Sequence, residues 1–103
     1  MNKLQKLKEI IEDEYYLNPG QLDELTRREP VVTARHALAY FLHTEEDMPR
    51  NAINAILGTL GHGTMRHGVS RYGSLLDTEQ TTRERYKQIK QRINKYVKTK
   101  HRP

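Results

Sequence analysis

The sequence contains no cysteine and no tryptophan, and no apolar run approaches the roughly 20 residues of a membrane span. Without cysteine, neither a disulfide framework nor thiolate-ligated zinc is available. The first residues lack the apolar stretch of a secretory signal, so no membrane association and a cytoplasmic location are expected. Acids are also missing where they matter. Between Arg50 and Leu76 there is no Asp or Glu, and from Asp77 to Pro103 nine Lys or Arg stand against three acids. The acids gather instead at Glu9 to Glu14, Asp23 to Glu29 and Glu45 to Asp47. The net charge of +5 is therefore lopsided, and one side of the molecule offers a footprint for phosphate.

At 103 residues the chain has the length of one domain, and 35% apolar residues suit a modest core. Residues 1–98 are expected to form a single helical domain, with 99–103 a basic tail. Strand patterns are scarce, whereas apolar residues recur at spacings of three and four. Leu4, Leu7, Ile11 and Tyr15 predict a first helix over 2–16, stopped by Asn18, Pro19 and Gly20. A short helix is predicted over 19–26, with Leu22 and Leu25 turned inward. Thr33 is the predicted N-cap of the next helix, whose apolar stripe is Ala34, Leu38, Phe41 and Leu42, ending near Thr44. Pro49 opens a fourth helix with Ala52, Ile53, Ile56 and Leu57 inward, and Gly58 ends it. A fifth helix is expected over 61–72. Asp77 is the expected cap of a last helix reaching Val97, with Tyr86, Ile89, Ile93 and Val97 on one face. The prediction is an all-α fold of five to six helices.

Two short helices joined by a tight turn containing glycine, here Gly58-Thr59-Leu60, are the pattern of a helix-turn-helix. The second helix carries His62, Thr64, Arg66, His67, Ser70 and Arg71 but no carboxylate. A helix bound for a groove walled by phosphates must avoid carboxylates, and it needs hydroxyls, imidazoles and guanidiniums to reach base edges.

Other chemistry is poorly served. His62 and His67 are five apart, whereas helical metal ligands need a spacing of three or four, and His36 and His43 lie two turns apart. No metal is expected. Ser70 and Ser74 lie near His67, but no acid lies between Arg50 and Leu76, so an enzyme is not expected. Tyrosines at helical spacing belong in a core with the hydroxyl at its rim, and at least four of the six are assigned there. Arg83, Lys87 and Lys90 share a face of the last helix, either solvated or turned to phosphate or a partner.

Several segments carry a family resemblance: Tyr15-Tyr16, Leu22-Asp23-Glu24-Leu25, Thr26-Arg27-Arg28, and Val32-Thr33-Ala34-Arg35-His36 followed by an apolar helix. The stretch from Ile53 to Gly68 aligns without a gap to a signature reading Ile-Gly-x-Ala-Phe-Gly-Gly-Arg-Asp-His-Thr-Thr-Val-x-His-Ala. From about Ile10 to Val97 the chain resembles the C-terminal DNA-binding domain of DnaA, the bacterial replication initiator. The resemblance implies a Trp-repressor-like helix-turn-helix that binds double-stranded DNA in replication or transcription control, in a bacterial cell or a phage-infected host. It implies that Arg35 enters the minor groove, favoured by the negative potential of a narrow groove. His62 and Thr64 match two residues of the family's His-Thr-Thr recognition tripeptide, and His67 matches a histidine further along the recognition helix. With Arg66, these are the expected base readers. Arg27, Arg28, Arg50 and Arg71 are the expected phosphate contacts.

Leu60, Gly61 and Gly63 replace the family's arginine, aspartate and first threonine. Glycine cannot accept from a cytosine amino group, so a changed target sequence is expected. Gly63 and Gly68 also lower helix propensity by roughly 1 kcal/mol each relative to alanine, a sign of close approach to DNA or to a scaffold helix. DnaA's nucleotide-binding loop, Gly-x-x-x-x-Gly-Lys-Ser/Thr, has no counterpart, so neither nucleotide nor cofactor is expected. The alternative reading is a protein-interaction adaptor that keeps the fold, has lost base reading, and meets a replication protein through its last helix or the acidic turn.

Overall fold

In the computed structural model, which describes residues 2–24, 26–58 and 64–100, every regular element is a helix. α1 spans Lys3–Glu14, and a single 3-10 turn follows at Gln21–Asp23. Then come α2 (Val31–Thr44), α3 (Arg50–Leu57), α4 (Thr64–Thr78) and α5 (Gln80–Lys100). The predicted all-α fold of five to six helices is thus a five-helix fold.

α1 begins where Asn2 Oδ1 accepts the Gln5 backbone N–H at 2.8 Å, satisfying one of the unpaired amides of a helix start. It ends in a Schellman pair: the Tyr16 N–H donates to the Asp13 carbonyl at 3.1 Å and the Leu17 N–H to the Glu12 carbonyl at 2.8 Å. This geometry needs a left-handed residue, and here a tyrosine supplies it, with Tyr16 at φ 59°. The segment predicted as a helix over 19–26 is only the one 3-10 turn, which buries Leu22; Leu25 lies outside the described residues. Glu12, 5% exposed, accepts the Leu22 N–H through Oε2 at 3.0 Å, which gives a buried carboxylate a partner.

α2 starts two residues before the predicted cap. The Arg28 and Pro30 carbonyls accept the first helical amides, from Val32 and Ala34, so Thr33 lies inside the helix with its hydroxyl donated to the Glu29 carboxylate. Proline suits a helix start because it has no N–H to leave unpaired. α2 is the hub: it packs against α1, the 3-10 turn, α3 and α4, with Ala34, Ala37, Leu38, Ala39, Phe41 and Leu42 all buried. Small side chains along α2 let its neighbours come close.

α4 runs past its predicted stop at Tyr72 to Thr78, so Asp77 lies in its last turn rather than capping α5. Gly73 does not break the helix because it packs toward Tyr40, whose ring would be 3.6 Å from a β-carbon added there. Arg83 closes the end of α4 instead, Nη1 donating to the carbonyls of Leu76 (2.9 Å) and Asp77 (3.3 Å). α5 continues past the predicted Val97 to Lys100.

The last helix lies along the first. Ile89 and Ile93 are buried, and Arg92 holds Asp13 at 2.7 Å and Glu14 at 2.9 Å. Burial works against the Arg92 cation, but its hydrogen bonds to the two acids outweigh this and hold its pKa above the ordinary value. Five of the six tyrosines pack in or against the core, as their spacing predicts; Tyr16, 86% exposed, is the exception. Tyr40, Tyr72 and Tyr86 form a ring cluster with centroids 5.3 to 5.8 Å apart.

Candidate nucleic-acid interface

Helical geometry divides α4 into two faces. Met65, Gly68 and Tyr72 turn inward, while Arg66, His67, Ser70, Arg71 and Ser74 are exposed. No carboxylate interrupts that outer face before Asp77. Thr64 is the first residue of α4, and His62 lies outside the described residues, as do Leu60, Gly61 and Gly63. The predicted start of this helix at residue 61 falls in the same segment.

Of the two explanations the sequence leaves for Gly68, close approach to a scaffold helix is the one present. A β-carbon there would meet the ring of His36 on α2. That ring in turn meets His67 edge to face, with centroids 5.5 Å apart. The base-reading candidate His67 is thereby backed by a second histidine that sequence reasoning did not assign to the site. Burial holds the His36 imidazole below its ordinary value of 6.5 and His67 pushes the same way. Glu29 opposes, and Arg71 and Arg35 add smaller downward pushes. His36 is therefore held neutral between a cation-rich surface and the core.

Arg35 is engaged within the protein. Nη1 donates to the Glu24 carbonyl at 3.0 Å and Nη2 to the Leu57 carbonyl at 2.5 Å. Its half-buried guanidinium ties the segment after the 3-10 turn to the last residue of α3. Gly58 then takes the left-handed conformation (φ 69°), its N–H donating to Asn54 and Ala55 carbonyls, so α3 ends where the sequence predicts. No sequence signal marks Arg35 as a strut, because its acceptors are main-chain carbonyls 11 and 22 residues away.

Arg27 and Arg28 are exposed on the loop before α2, and Arg50 is exposed as the first residue of α3. The structure thus clusters His36, His67, Gly68 and Arg71 at the α2–α4 contact and leaves Arg27, Arg28 and Arg50 on neighbouring elements.

Some surface cations are paired with acids and others are not. Lys3 pairs with Glu46 (2.5 Å), Lys8 with Asp23 (2.6 Å), Lys90 with Glu45 (3.7 Å) and Arg92 with Asp13 and Glu14. Arg27, Arg28, Arg50, Arg66 and Arg71 have no carboxylate partner among the described residues. Cations left unneutralised make a standing positive potential on these elements, and Lys87, Lys95 and Lys98 of α5 are likewise without an ion-pair partner among the described residues. Among the described residues no three His, Asp or Glu side chains converge as metal ligands, and no helix is long and apolar enough to cross a membrane.

Comparison of the chain with protein-family models, curated proteins and solved structures finds no significant match.

Proposed function

We propose that this chain binds double-stranded DNA through α3 and α4, as its resemblance to the C-terminal domain of DnaA implies, in control of replication or transcription. The observation that carries the reading is the outer face of α4, free of carboxylate before Asp77, together with arginines that have no carboxylate partner among the described residues. Arg66 and His67, with Thr64 and His62 before them, enter the major groove. Arg27, Arg28, Arg50 and Arg71 hold phosphates. Arg35 reaches a minor groove only after its guanidinium leaves the carbonyls of Glu24 and Leu57. Neither a cofactor nor a nucleotide takes part.

The test is a fluorescence-anisotropy titration of a DnaA box, a scrambled duplex and sequences selected from a random pool, at about 50 and 200 mM salt. Tight binding to one selected sequence is expected. Losing a bidentate base contact weakens binding by about 1–3 kcal/mol, so Arg66→Ala and His67→Ala should relax specificity at particular positions. Arg71→Ala should weaken all sequences alike and flatten the salt dependence. No binding to any duplex at the lower salt would refute the reading.

One observation favours a second reading. The guanidinium that a minor-groove reader needs free is hydrogen-bonded to two main-chain carbonyls. That suits an adaptor which keeps the fold, has given up base reading and binds a replication protein. Salt-insensitive association with a protein, without duplex binding, distinguishes it.

A further inference from the structure

The outer face of α5 carries lysines interleaved with side-chain amides. Two shallow concavities of about 390 and 480 Å³ lie along it, and both are lined by Gln91 and Asn94, which makes them one trough. Lys87 and Lys90 line its first part and Lys95 and Lys98 its second, and no carboxylate lines either. Lys87, Lys95 and Lys98 have no ion-pair partner among the described residues. Lys90 has only a loose one, Glu45 at 3.7 Å, and Glu45 also accepts the Tyr86 hydroxyl.

Each turn of the helix, about 5.4 Å of rise, thus presents an ammonium or a side-chain amide to the trough over roughly 16 Å. Lysine offers only donors, and asparagine and glutamine offer two each. A partner that matches these lysines and amides is an anion with closely spaced acceptors, and a phosphodiester backbone is one.

The trough is also set apart from the α4 face. His67 meets α2 at His36, in its first turns, whereas Lys90 and Tyr86 meet Glu45, just past the last residue of α2. Nine residues of helix separate those points, roughly 13 Å along α2.

We infer that the outer face of α5 is a second, sequence-independent site for duplex DNA, binding the phosphate backbone through Lys87, Lys95 and Lys98 with Gln91 and Asn94 between them. Its lysines and amides all belong to α5, although Leu76 of α4 also lines the trough, and the site holds whether or not α4 reads bases. Where both sites work, one molecule joins two duplex segments. Three phosphate contacts give a salt slope near 3, so a fourfold rise in salt weakens this site by roughly 40-fold.

The experiment uses the full chain. A biotinylated duplex on beads is saturated with protein, washed, and offered a fluorescent random-sequence duplex at about 50 mM salt. The variants are Lys87→Gln/Lys95→Gln/Lys98→Gln, conservative at exposed helical positions, and Arg66→Gln/Arg71→Gln on α4, both checked for helicity by circular dichroism. Wild type should capture the second duplex. The α5 variant should keep its affinity for a single duplex within about twofold while capture falls at least about tenfold. The α4 variant should keep weak, salt-sensitive binding to random duplex that vanishes when the two sets are combined. Undiminished binding by the α4 variant would refute the α4 reading and leave the α5 site standing. Where the α4 variant has lost duplex affinity, so that α4 is itself a DNA site, three results would overturn the inference: no capture by wild type, equal capture by the α5 variant, or a parallel loss of single-duplex binding, which would lay α5 along the same duplex as α4. Polyglutamate that displaces the second duplex as well as unlabelled DNA does would also overturn it, assigning the face to an acidic protein.

Discussion

A β-carbon on Gly68 would stand 2.9 Å from Cδ2 of His36 and 3.6 Å from its Cα. The first contact is closer than side chains tolerate, and the second shows that the α2 backbone is not far behind. Alanine at position 68 would gain about 1 kcal/mol of helix propensity. It would also overpack the α2–α4 contact, at about 1–3 kcal/mol. Gly68→Ala is therefore expected to destabilise the fold by about 1 kcal/mol and to displace the His67 ring that His36 supports. Urea denaturation measures the first and the imidazole proton shifts the second. A variant as stable as wild type would show that α4 does not sit this close to α2.

Burial and His67 depress His36 below 6.5, so the folded protein favours the neutral ring. Below that value the unfolded chain binds more protons than the folded one, and stability falls with falling pH. The contribution is fully present above pH 6.5 and is lost as pH drops toward the folded value. Glu29, Arg35, Arg71 and His67 all act on this ring, so the comparison must be with a variant that removes it alone. Between about pH 7.5 and 5.5 the melting temperature of wild type should fall further than that of His36→Gln. Equal falls would place the pH dependence elsewhere.

The hydroxyls of Tyr15 and Tyr72 meet at 2.7 Å inside the core, 57 residues apart in sequence. Burial raises the pKa of both, and of Tyr86, so none of the three is expected to ionise while the fold lasts. Tyr72→Phe leaves the Tyr15 hydroxyl buried and unpaired, at about 1–3 kcal/mol. Replacing both tyrosines should cost clearly less than the sum of the two single changes, because the orphan disappears. A double-mutant cycle in chemical denaturation reads the difference, and strict additivity would mean that the pair is not coupled.

Tyr16 holds a left-handed backbone at the end of α1, where glycine carries no penalty. That conformation costs a residue with a β-carbon about 1–2 kcal/mol. The ring recovers part of this from Arg85, whose guanidinium lies 5.7 Å from its centroid, an exposed contact of about 0.5–1 kcal/mol. Tyr16→Gly is expected to stabilise the protein by about 0.5–1 kcal/mol, visible as a higher melting temperature. A lower one would mean that the aromatic contact outweighs the backbone strain.

The faces of the helices were readable because apolar spacing directly reports which side meets the core. Leu7, Ile11, Leu38, Phe41, Ile53, Ile89 and Ile93 are all buried. Helix ends were harder, since an end depends on what meets the last carbonyls. Gly73 resembles a stop and is a packing residue, and Asp77 resembles a cap but lies in α4, which Arg83 closes from α5. The exposed face of α4 was legible for the same reason as the cores. The engagement of Arg35 was not, because a guanidinium reads identically in sequence whether it faces solvent or two distant carbonyls. His36 was likewise hidden: only the approach of Gly68 reveals which face of α2 it shares with α4.

Arg92 fastens α5 to the end of α1, and the two helices cover each other along Ile89 and Ile93. Synthesis delivers these partners in the least convenient order. Leu7, Ile10 and Ile11 leave the ribosome early, yet the helix that shields them comes after α2, α3 and α4. α2 covers part of that stripe, and the part that faces α5 stays open until α5 is made, a surface that invites aggregation. The α1–α5 contact thus joins segments far apart in sequence, a closure that slows folding relative to a bundle whose neighbours in space are neighbours in sequence.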